Sequence, residues 1–397
     1  MDTMGILAFV LLLCLSSSSI GSSQIFNLAA NGAVGDGKTD DTKAFLKTWD
    51  LFCAATGNPT FLIPSGKSFQ VGGVELRGPC KSSNPHIQLA GNIVAPNFLW
   101  RPANQLSNWI AINQVDGLTI NGRGSIDGRG RVWWDCKASK NCGTLPNILS
   151  VSGCNNFQIG GGLTLTNSPG KHMTLGFCNY VTIDGINIVS PGDSPNTDGV
   201  YTQETQHVKI QNSFIGTGDD CVAIGQGSVD VNVTNLACGP GHGISIGSLG
   251  AGKSHSIVEQ VHVSYVNFSN AQNGVRIKTW QGGSGYARNV LFEQIHFNQV
   301  YNPIIIDQYY CNGPRGQCAN ETSAVQISNV RYSNLHGSAS GVMAINLACS
   351  LSVGCTGIVM DDINISSGIS GKPATSYCLN VHGRIQGSIS PAVSCLH

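Results

Sequence analysis

Short segments of alternating apolar and polar residues recur along most of this chain, and each is interrupted by Asn, Asp or Gly. Three of them begin at Val181, Val208 and Val231, which are 208 − 181 = 27 and 231 − 208 = 23 residues apart. Segments of the same kind occupy residues 118–122, 261–268 and 358–365. A repeat of this length is typical of solenoids, in which each unit buries its apolar face against its neighbours. The chain is therefore expected to fold as a stack of coils.

The residues within and between the segments indicate which solenoid to expect. The repeats have neither the helical part of a leucine-rich repeat nor the Trp-Asp and Gly-His signatures of a propeller. Asn and Gly at the bends suit a coil that turns through tight corners. We predict an all-β fold, a single-domain right-handed parallel β-helix. Residues 43–55 place apolar side chains at helical spacing, so we also expect one short N-terminal helix that caps an open end of the stack.

The composition agrees with such a fold and bears on the binding partner. The chain has 397 residues, of which 50 are Gly, only 11% are charged and 41% are hydrophobic. Few charges and many glycines favour a turn-rich all-β protein with ample core. The formal net charge is zero, so nothing in the overall charge predicts a nucleic-acid partner. An acidic substrate would need cations placed locally.

The N-terminus has the pattern of a secretory signal peptide. An apolar run at residues 6–15 is followed by small residues suited to cleavage, so we expect a signal at residues 1–23 and one domain at residues 24–397. The run is shorter than the ~20 residues that a membrane span needs. We therefore expect a secreted protein without a membrane association. A monomer is expected because no heptad pattern or amphipathic dimer surface stands out.

The cysteines and sequons support an oxidising compartment. Fourteen of the 15 cysteines lie after the predicted signal, and an even number suits disulfides. Close spacing predicts bridges of Cys136 with Cys142, Cys221 with Cys238, Cys311 with Cys318, Cys349 with Cys355 and Cys378 with Cys395, which leaves Cys53, Cys80, Cys154 and Cys178 to pair among themselves. No Cys-x-x-Cys spacing indicates zinc. Glycosylation sequons occur at Asn232, Asn267, Asn320 and Asn364.

Four short polar clusters stand out from the apolar repeats. They are Asn196-Thr197-Asp198-Gly199, Gly216-Thr217-Gly218-Asp219-Asp220-Cys221, Gly239-Pro240-Gly241-His242-Gly243 and Arg276-Ile277-Lys278. Adjacent carboxylates between apolar runs raise at least one pKa and cost stability, so such an arrangement is usually tolerated for chemistry. We interpret the four clusters as one active site.

The spacing of the clusters would bring them together on a β-helix. Asp198 and Asp219 are 219 − 198 = 21 residues apart, and Asp220 and His242 are 242 − 220 = 22 residues apart, which is close to one coil. Glycoside hydrolysis uses one protonated carboxyl and a second carboxylate that activates water. Clustered carboxylates push their pKa values apart, which provides both forms. Nearby Arg and Lys would hold an anionic sugar. The residue types therefore predict hydrolysis of an acidic polysaccharide.

In this order and spacing the four clusters resemble the signature motifs of the polygalacturonases, family 28 of the glycoside hydrolases. The resemblance extends over nearly the whole mature chain, and residues 302–311 resemble the plant branch. It implies hydrolysis of α-1,4 bonds between galacturonic acid units of pectin, with inversion and without a metal or other cofactor. It also implies cell-wall localisation, homogalacturonan as substrate and wall-located inhibitor proteins as candidate partners.

The resemblance also implies roles for eight residues. Asp219 would be the general acid, Asp198 and Asp220 would activate the water, and His242 would tune the protonation of the acid. Substrate would be bound by Asn196, Arg276, Lys278 and Tyr310. Tyr201 departs from the pattern, because plant members often have His at this point, and it could affect a subsite.

Several alternatives stay open at the level of sequence. Endo and exo cleavage are not distinguished, because they depend on loops that close the cleft. A rhamnogalacturonan hydrolase, a calcium-dependent pectate lyase on a similar solenoid and an inactive wall-binding solenoid are the other candidates. A reducing-sugar assay in a chelator, with a search for an unsaturated product, would separate them.

Overall fold

The structure is a computed structural model that describes residues 24–100, 108–139, 142–311, 318 and 321–396. Within these residues every strand pairing is parallel, and each strand pairs with the corresponding strand of the next coil. This is the predicted right-handed parallel β-helix. The predicted signal at residues 1–23 lies outside the described residues.

One sheet, here called the front sheet, contributes one strand from each coil. Elements are numbered in chain order, and the front sheet consists of β5 (Val74–Arg77), β8 (Asn108–Asn113), β11 (Asn147–Ser152), β14 (Met173–Gly176), β17 (Val200–Gln203), β19 (Val222–Ile224), β21 (Ile244–Leu249), β23 (Asn273–Trp280), β25 (Asn302–Tyr310), β27 (Met343–Ala348) and β29 (Thr375–Leu379). All the predicted site residues lie on this sheet or in the turns that precede its strands.

The remaining strands form the back sheet, which covers the other faces of the coil. Its members are β1 (Ile25–Asn27), β2 (Asp36–Asp40), β3 (Thr60–Ile63), β4 (Ser68–Gln70), β6 (His86–Leu89), β7 (Asn92–Val94), β9 (Thr119–Asn121), β10 (Ser125–Asp127), β12 (Asn155–Gly160), β13 (Thr164–Thr166), β15 (Asn179–Asp184), β16 (Asn187–Val189), β18 (Gln206–Gly216), β20 (Val229–Cys238), β22 (His255–Ser269), β24 (Ser284–Val300), β26 (Gln326–Ala339), β28 (Cys355–Ser366) and β30 (Val381–Ser390). From β18 onward one long, bent strand replaces the two short strands of each earlier coil.

The bends of the long strands explain the polar residues within the sequence repeat. Asn212 and Asn235, one coil apart, have φ values of 53° and 52°, in the left-handed region. Asn tolerates this conformation better than most residues with a side chain, because its short amide can bond locally. The Asn residues at these bends therefore turn the chain from one face of the coil to the next.

The core is a stack of like residues from successive coils. Val181 pairs with Val208, which pairs with Val231, as the 27- and 23-residue spacing predicts. All three side chains are fully buried. Burial of one such side chain contributes about 1.5–3 kcal/mol, so repeated stacking supplies most of the stability that a chain with few charges can reach.

The predicted N-terminal helix is present as α1 (Thr42–Cys53) and closes one end of the stack. Its buried face includes Phe45, Trp49 and Phe52, and the ring of Phe52 lies 5.9 Å from that of Phe61 on β3. The helix covers an end of the coils whose apolar interior would otherwise face water.

A second helix, α2 (Arg131–Ala138), was not expected from the sequence. It belongs to an excursion between β10 and β11 that the Cys136–Cys142 bridge ties together. Trp133 is buried and its ring lies 5.7 Å from that of Trp100. A short helix of eight residues depends on such tertiary packing rather than on its own periodicity.

The five disulfides predicted from close spacing are all present, and Cys53 also bonds to Cys80. The expected pairing of the remaining two cysteines is wrong for this structure, in which Cys154 and Cys178 are free thiols, both buried. They lie one coil apart in the interior of the solenoid, where side chains of successive coils run side by side. Six bridges agree with an oxidising compartment.

The sequons differ in their surroundings. Asn267 and Asn364 are exposed on the back sheet, and Asn232 is half-buried. Asn320 lies outside the described residues. Among the described residues, none of the helices combines the length and the apolar character that crossing a bilayer requires.

Candidate active site

Parallel register places three of the predicted residues in one row. Val200 pairs with Val222, which pairs with Ile244, and two residues before these positions are Asp198, Asp220 and His242. Backbone bonds continue the pairing into the turns, since Gly199 N–H donates to Asp220 O at 2.8 Å. The coil spacing of the sequence therefore stacks these side chains on successive coils, about one strand spacing of ~4.8 Å apart.

The turn that carries Asp219 and Asp220 is held from both sides. A Cβ on Gly218 would lie 1.9 Å from the carbonyl oxygen of Ser194, so only glycine fits at this position. The following residue, Cys221, is fully buried and bonded to Cys238. The tight turn thus fixes the backbone that carries the two adjacent carboxyl groups of Asp219 and Asp220.

Asp220 lies at the bottom of the site and accepts hydrogen bonds from three side chains. Its side chain is 2% exposed. Oδ1 accepts hydrogen bonds from Ser245 Oγ and Arg276 Nη2, each at 2.8 Å, and Oδ2 accepts from Lys278 Nζ at 2.9 Å. Two cations and a hydroxyl compensate for the burial of this carboxylate. The two cations predicted to bind substrate are therefore both bonded to Asp220.

Asp219 is more open and has a different set of partners. Its Oδ1 lies 3.0 Å from Nδ1 of His242, and its Oδ2 accepts a hydrogen bond from Asn196 Nδ2 at 3.3 Å. Burial opposes ionisation of Asp219. The hydrogen bond and charge of His242, the backbone N–H of Asp220 and the charge of Lys278 outweigh that effect and lower the pKa of Asp219 below its usual range.

Asp198 is almost fully buried, with 5% of its surface exposed. Burial raises the pKa of Asp198 to about 6, against the opposing charge of Lys171 and with the help of the negative charges of Asp219 and Asp220. Lys171 Nζ lies 3.0 Å from Asp198 Oδ2. The two carboxyls therefore shift in opposite directions, which is the arrangement that acid–base chemistry requires.

The remaining predicted residues line the same region. Asn196 adopts φ of 57°, and its carbonyl oxygen Oδ1 accepts a hydrogen bond from Lys137 Nζ of α2. Tyr310 lies with its ring 5.5 Å from Lys278 Nζ and edge-on to the ring of Trp280. All eight sequence-predicted residues are thus brought together by the front sheet and its turns.

Sequence reasoning missed three residues that contact the site. Ser245 donates to Asp220, Lys137 donates to Asn196, and Lys171 forms an ion pair with Asp198. Lys171 had a usable signal: it lies 198 − 171 = 27 residues before Asp198, one coil by the longer spacing. Lys137 lies on the unexpected helix, so no repeat could have indicated it.

A cluster of possible metal ligands occurs at the same place. Asp219, Asp220 and His242 offer ligand atoms within 4.8 Å of one another. The Asp220 oxygens, however, already accept bonds from Arg276 and Lys278 at 2.8 and 2.9 Å. A dication placed there would face two positive charges at contact distance. These residues therefore fit an acid–base site better than a metal centre.

A cavity of about 350 Å³ lies between α2 and the turn that leads to Asn196. Trp134 and Lys137 line it on the helix side, and Ser194 and Pro195 line it on the turn side. The cavity lies on the side of the carboxyl groups that faces the N-terminal coils. The α2 excursion therefore forms one wall of the region beside the site.

This chain is similar to known proteins over most of its length. The family described as glycosyl hydrolases family 28 matches residues 53–395. A probable polygalacturonase of Arabidopsis thaliana is 42% identical over 380 residues, covering 94% of this chain and 81% of that protein. An exopolygalacturonase of Zea mays is 40% identical over 375 residues, covering 93% and 90%. The crystal structure of an endo-xylogalacturonan hydrolase from Aspergillus tubingensis aligns with a TM-score of 0.79 at 25% identity, covering 92% and 100%.

Proposed function

The chain belongs to family 28 of the glycosyl hydrolases, and we propose that it hydrolyses the α-1,4 bonds between galacturonic acid units of homogalacturonan with inversion at the anomeric carbon. It is a glycoside hydrolase by membership of that family. The observation that carries the substrate assignment is the site itself: three carboxyls and an imidazole meet beside Arg276 and Lys278.

In the proposed reaction, Asp219 gives its proton to the glycosidic oxygen as the bond to the leaving sugar breaks. A water held by Asp198 and Asp220 attacks the anomeric carbon from the opposite face and loses its proton to a carboxylate. One carboxyl acts as acid and another as base, which is the inverting scheme. His242, bonded to Asp219 at 3.0 Å, regulates the proton on that acid.

The protonation states set a condition on this scheme. In the structure the raised pKa belongs to Asp198 and the lowered one to Asp219. Productive catalysis needs the reverse, with the proton on Asp219. A galacturonate carboxylate bound beside Asp219 would raise the pKa of Asp219, as neighbouring like charges do. The acidic substrate thereby helps to create its own general acid.

Recognition of the sugar carboxylate is assigned to Arg276, Lys278 and Tyr310. Arg276 uses Nε toward Ser245 and Nη2 toward Asp220, so Nη1 remains for a substrate oxygen. The Tyr310 ring beside Lys278 supplies an apolar wall for a sugar. Arg suits a planar carboxylate because its donors form a fixed fork.

We place this reaction in the cell wall, after secretion. The predicted signal and six disulfides support that location. Wall-located inhibitor proteins remain candidate partners, and a monomer is the proposed state.

The first test compares wild type with Asp219→Asn on polygalacturonate, in a chelator at mildly acidic pH. Loss of a general acid is expected to reduce kcat by ~100- to 10,000-fold. Asp50→Asn, an exposed carboxylate on α1, is the matched control and is expected to keep full activity. Reducing ends and viscosity are followed together, because a fast viscosity drop indicates internal cleavage and a slow one terminal cleavage.

Three outcomes would contradict the proposal. An unsaturated product that requires calcium would indicate a lyase. Reducing ends from rhamnogalacturonan or xylogalacturonan, but not from polygalacturonate, would show that the substrate is a different polysaccharide. Folded wild-type protein that releases no reducing ends from any of them would indicate a binding solenoid.

A further inference from the structure

Lys171 continues the polar row one coil before Asp198. Met173 on β14 pairs with Val200 on β17, so two residues earlier Lys171 stands opposite Asp198. The backbone bond from His172 N–H to Asp198 O, at 2.8 Å, continues this pairing. Lys171 therefore occupies the position in its coil that a carboxylate occupies in each of the next two coils. Its charge is opposite to theirs.

The backbone of Lys171 is fixed at both polar groups. Its N–H donates to Asn147 Oδ1 at 2.9 Å, and its carbonyl oxygen accepts from Ser168 Oγ at 2.7 Å. The side chain is 29% exposed, and Nζ lies 3.0 Å from Asp198 Oδ2. A surface lysine has a mobile ammonium, whereas this one is held against a nearly buried carboxylate.

The ring of Tyr201 forms a second contact for the ammonium group. Lys171 Nζ lies 5.2 Å from the ring centroid, within the range of a cation–π interaction. The hydroxyl of Tyr201 donates to Gln203 Oε1 at 3.2 Å, which orients the ring. Tyrosine at this position is the departure from the plant pattern noted in the sequence, and here its ring contacts the lysine.

We propose that Lys171 is a positioning residue that favours the ionised form of Asp198 and aims it at the attacking water, with the Tyr201 ring holding the ammonium in place. The assignment of Asp198 as base rests on the proposed function. The contact between Lys171 and Asp198 does not, because it is a contact between two side chains of the protein itself.

The charges around Asp198 explain why a lysine is needed. Asp219 and Asp220 face it from the next coil, Tyr201 lies on its own strand, and Lys171 faces it from the preceding coil. Without Lys171, the remaining charges that act on Asp198, those of Asp219 and Asp220, would both be negative, in a buried position. Burial and like charges both favour the protonated form. A protonated Asp198 cannot accept the proton of water.

The test replaces Lys171 by Met, which keeps most of the length and removes the charge, and by Arg, which keeps the charge. Lys209→Met, an exposed lysine of the back sheet, is the matched control. The titration of Asp198 is followed by NMR of protein labelled with ¹³C at the aspartate carboxyls, with the resonance assigned from Asp198→Asn. Steady-state kinetics on polygalacturonate are measured at pH 5 for the same variants.

Lys171→Met is expected to raise the titration midpoint of Asp198 by about one pH unit or more and to lower kcat at pH 5 by at least about tenfold. Lys171→Arg is expected to restore both toward wild type, and Lys209→Met to change neither. A structural role would lower the melting temperature without moving the midpoint. If Lys171→Met does not fold, Lys171→Gln is used with the same expectations.

An unchanged midpoint overturns the proposal. So does a moved midpoint with activity within twofold of wild type at every pH. If wild type proves inactive on polygalacturonate, the proposed function fails separately, because the NMR titration needs no substrate and still decides whether Lys171 controls Asp198.

Discussion

At the scale of single residues, the site shows how the surroundings divide one side-chain type into different roles. Asp220 is buried among two cations and a hydroxyl, Asp219 contacts an imidazole, and Asp198 contacts Lys171 in a nearly buried position. Partners that stabilise the charge lower a carboxyl pKa, and burial raises it. The three aspartates are therefore not interchangeable, although the sequence presents them alike.

His172, next to Lys171, makes a prediction about stability and pH. Its ring is fully buried, with Nε2 2.8 Å from Ser190 Oγ, and burial lowers the pKa of His172 to about 4. The unfolded chain therefore binds a proton between pH 6.5 and 4 that the folded chain does not. The contribution is fully present above pH 6.5, and roughly 3 kcal/mol is lost as the pH falls to about 4.

His172→Gln removes this proton linkage. The melting temperature of the variant is expected to lie below that of wild type near neutral pH, with the difference narrowing as the pH falls from 6.5 to 4. Differential scanning calorimetry across this range measures both curves. Parallel curves would show that His172 does not titrate as its burial requires.

At the scale of elements, one short turn positions two of the three carboxyl groups. The turn before β19 carries Asp219 and Asp220 and is anchored where Cys221 bonds to Cys238 on β20. The disulfide links the front sheet to the back sheet at the residue after Asp220. A bridge in this position orients the site as well as stabilising the coil.

The matched bridge for a test lies between Cys378 and Cys395, which has the same separation of 17 residues and lies in the C-terminal coil. A disulfide that closes a loop of this length stabilises the folded protein by ~3 kcal/mol. Replacing either pair by Ala is expected to lower the melting temperature. Only Cys221→Ala with Cys238→Ala is expected to lower kcat, by at least about tenfold, at a temperature where both proteins are folded.

Equal retention of activity in the two double variants would contradict a positioning role for the Cys221 bridge. Circular dichroism at the assay temperature separates loss of fold from loss of turn geometry.

At the scale of the whole molecule, the solenoid is a one-dimensional stack in which each coil contacts its neighbours. Stability in such a fold is approximately a sum of coil and interface terms, and the exposed ends need caps. Helix α1 provides the cap at the N-terminal end. The active site lies several coils away, between β14 and β25 on the front sheet.

Phe52→Ala tests whether cap and site are separable. Phe52 is fully buried against aromatic neighbours, so the substitution is expected to cost ~3–5 kcal/mol of unfolding free energy. Leu51→Ala on the exposed face of the same helix is expected to cost within ~0.5 kcal/mol. Both variants should keep wild-type kcat at 25 °C, as thermal unfolding and kinetics will measure. A kcat that falls with Phe52→Ala in folded protein would show coupling along the stack.

Much of the architecture was predictable because a solenoid repeats its information locally. Each segment carries its own alternation and its own bend, so the spacing of Val181, Val208 and Val231 was enough to predict the register. The same arithmetic placed Asp220 and His242 one coil apart, as the structure has them, but it paired Asp198 with Asp219, whereas the register aligns Asp198 with Asp220. Close spacing predicted five disulfides. In these cases the number of residues between a residue and its partner can be read from the repeat length or from close spacing in the sequence.

The features that only the tertiary structure decided are those that do not follow the sequence repeat. Helix α2 depends on packing of Trp133 against Trp100 of the neighbouring coil, so no local periodicity reveals it. The bonding of Arg276 and Lys278 to Asp220 and the pairing of Lys171 with Asp198 depend on which side chains meet across coils of unequal length. The opposite pKa shifts follow from burial and summed charges. Sequence identified eight of the residues that share the site, and three-dimensional packing determined the charge and contacts of each.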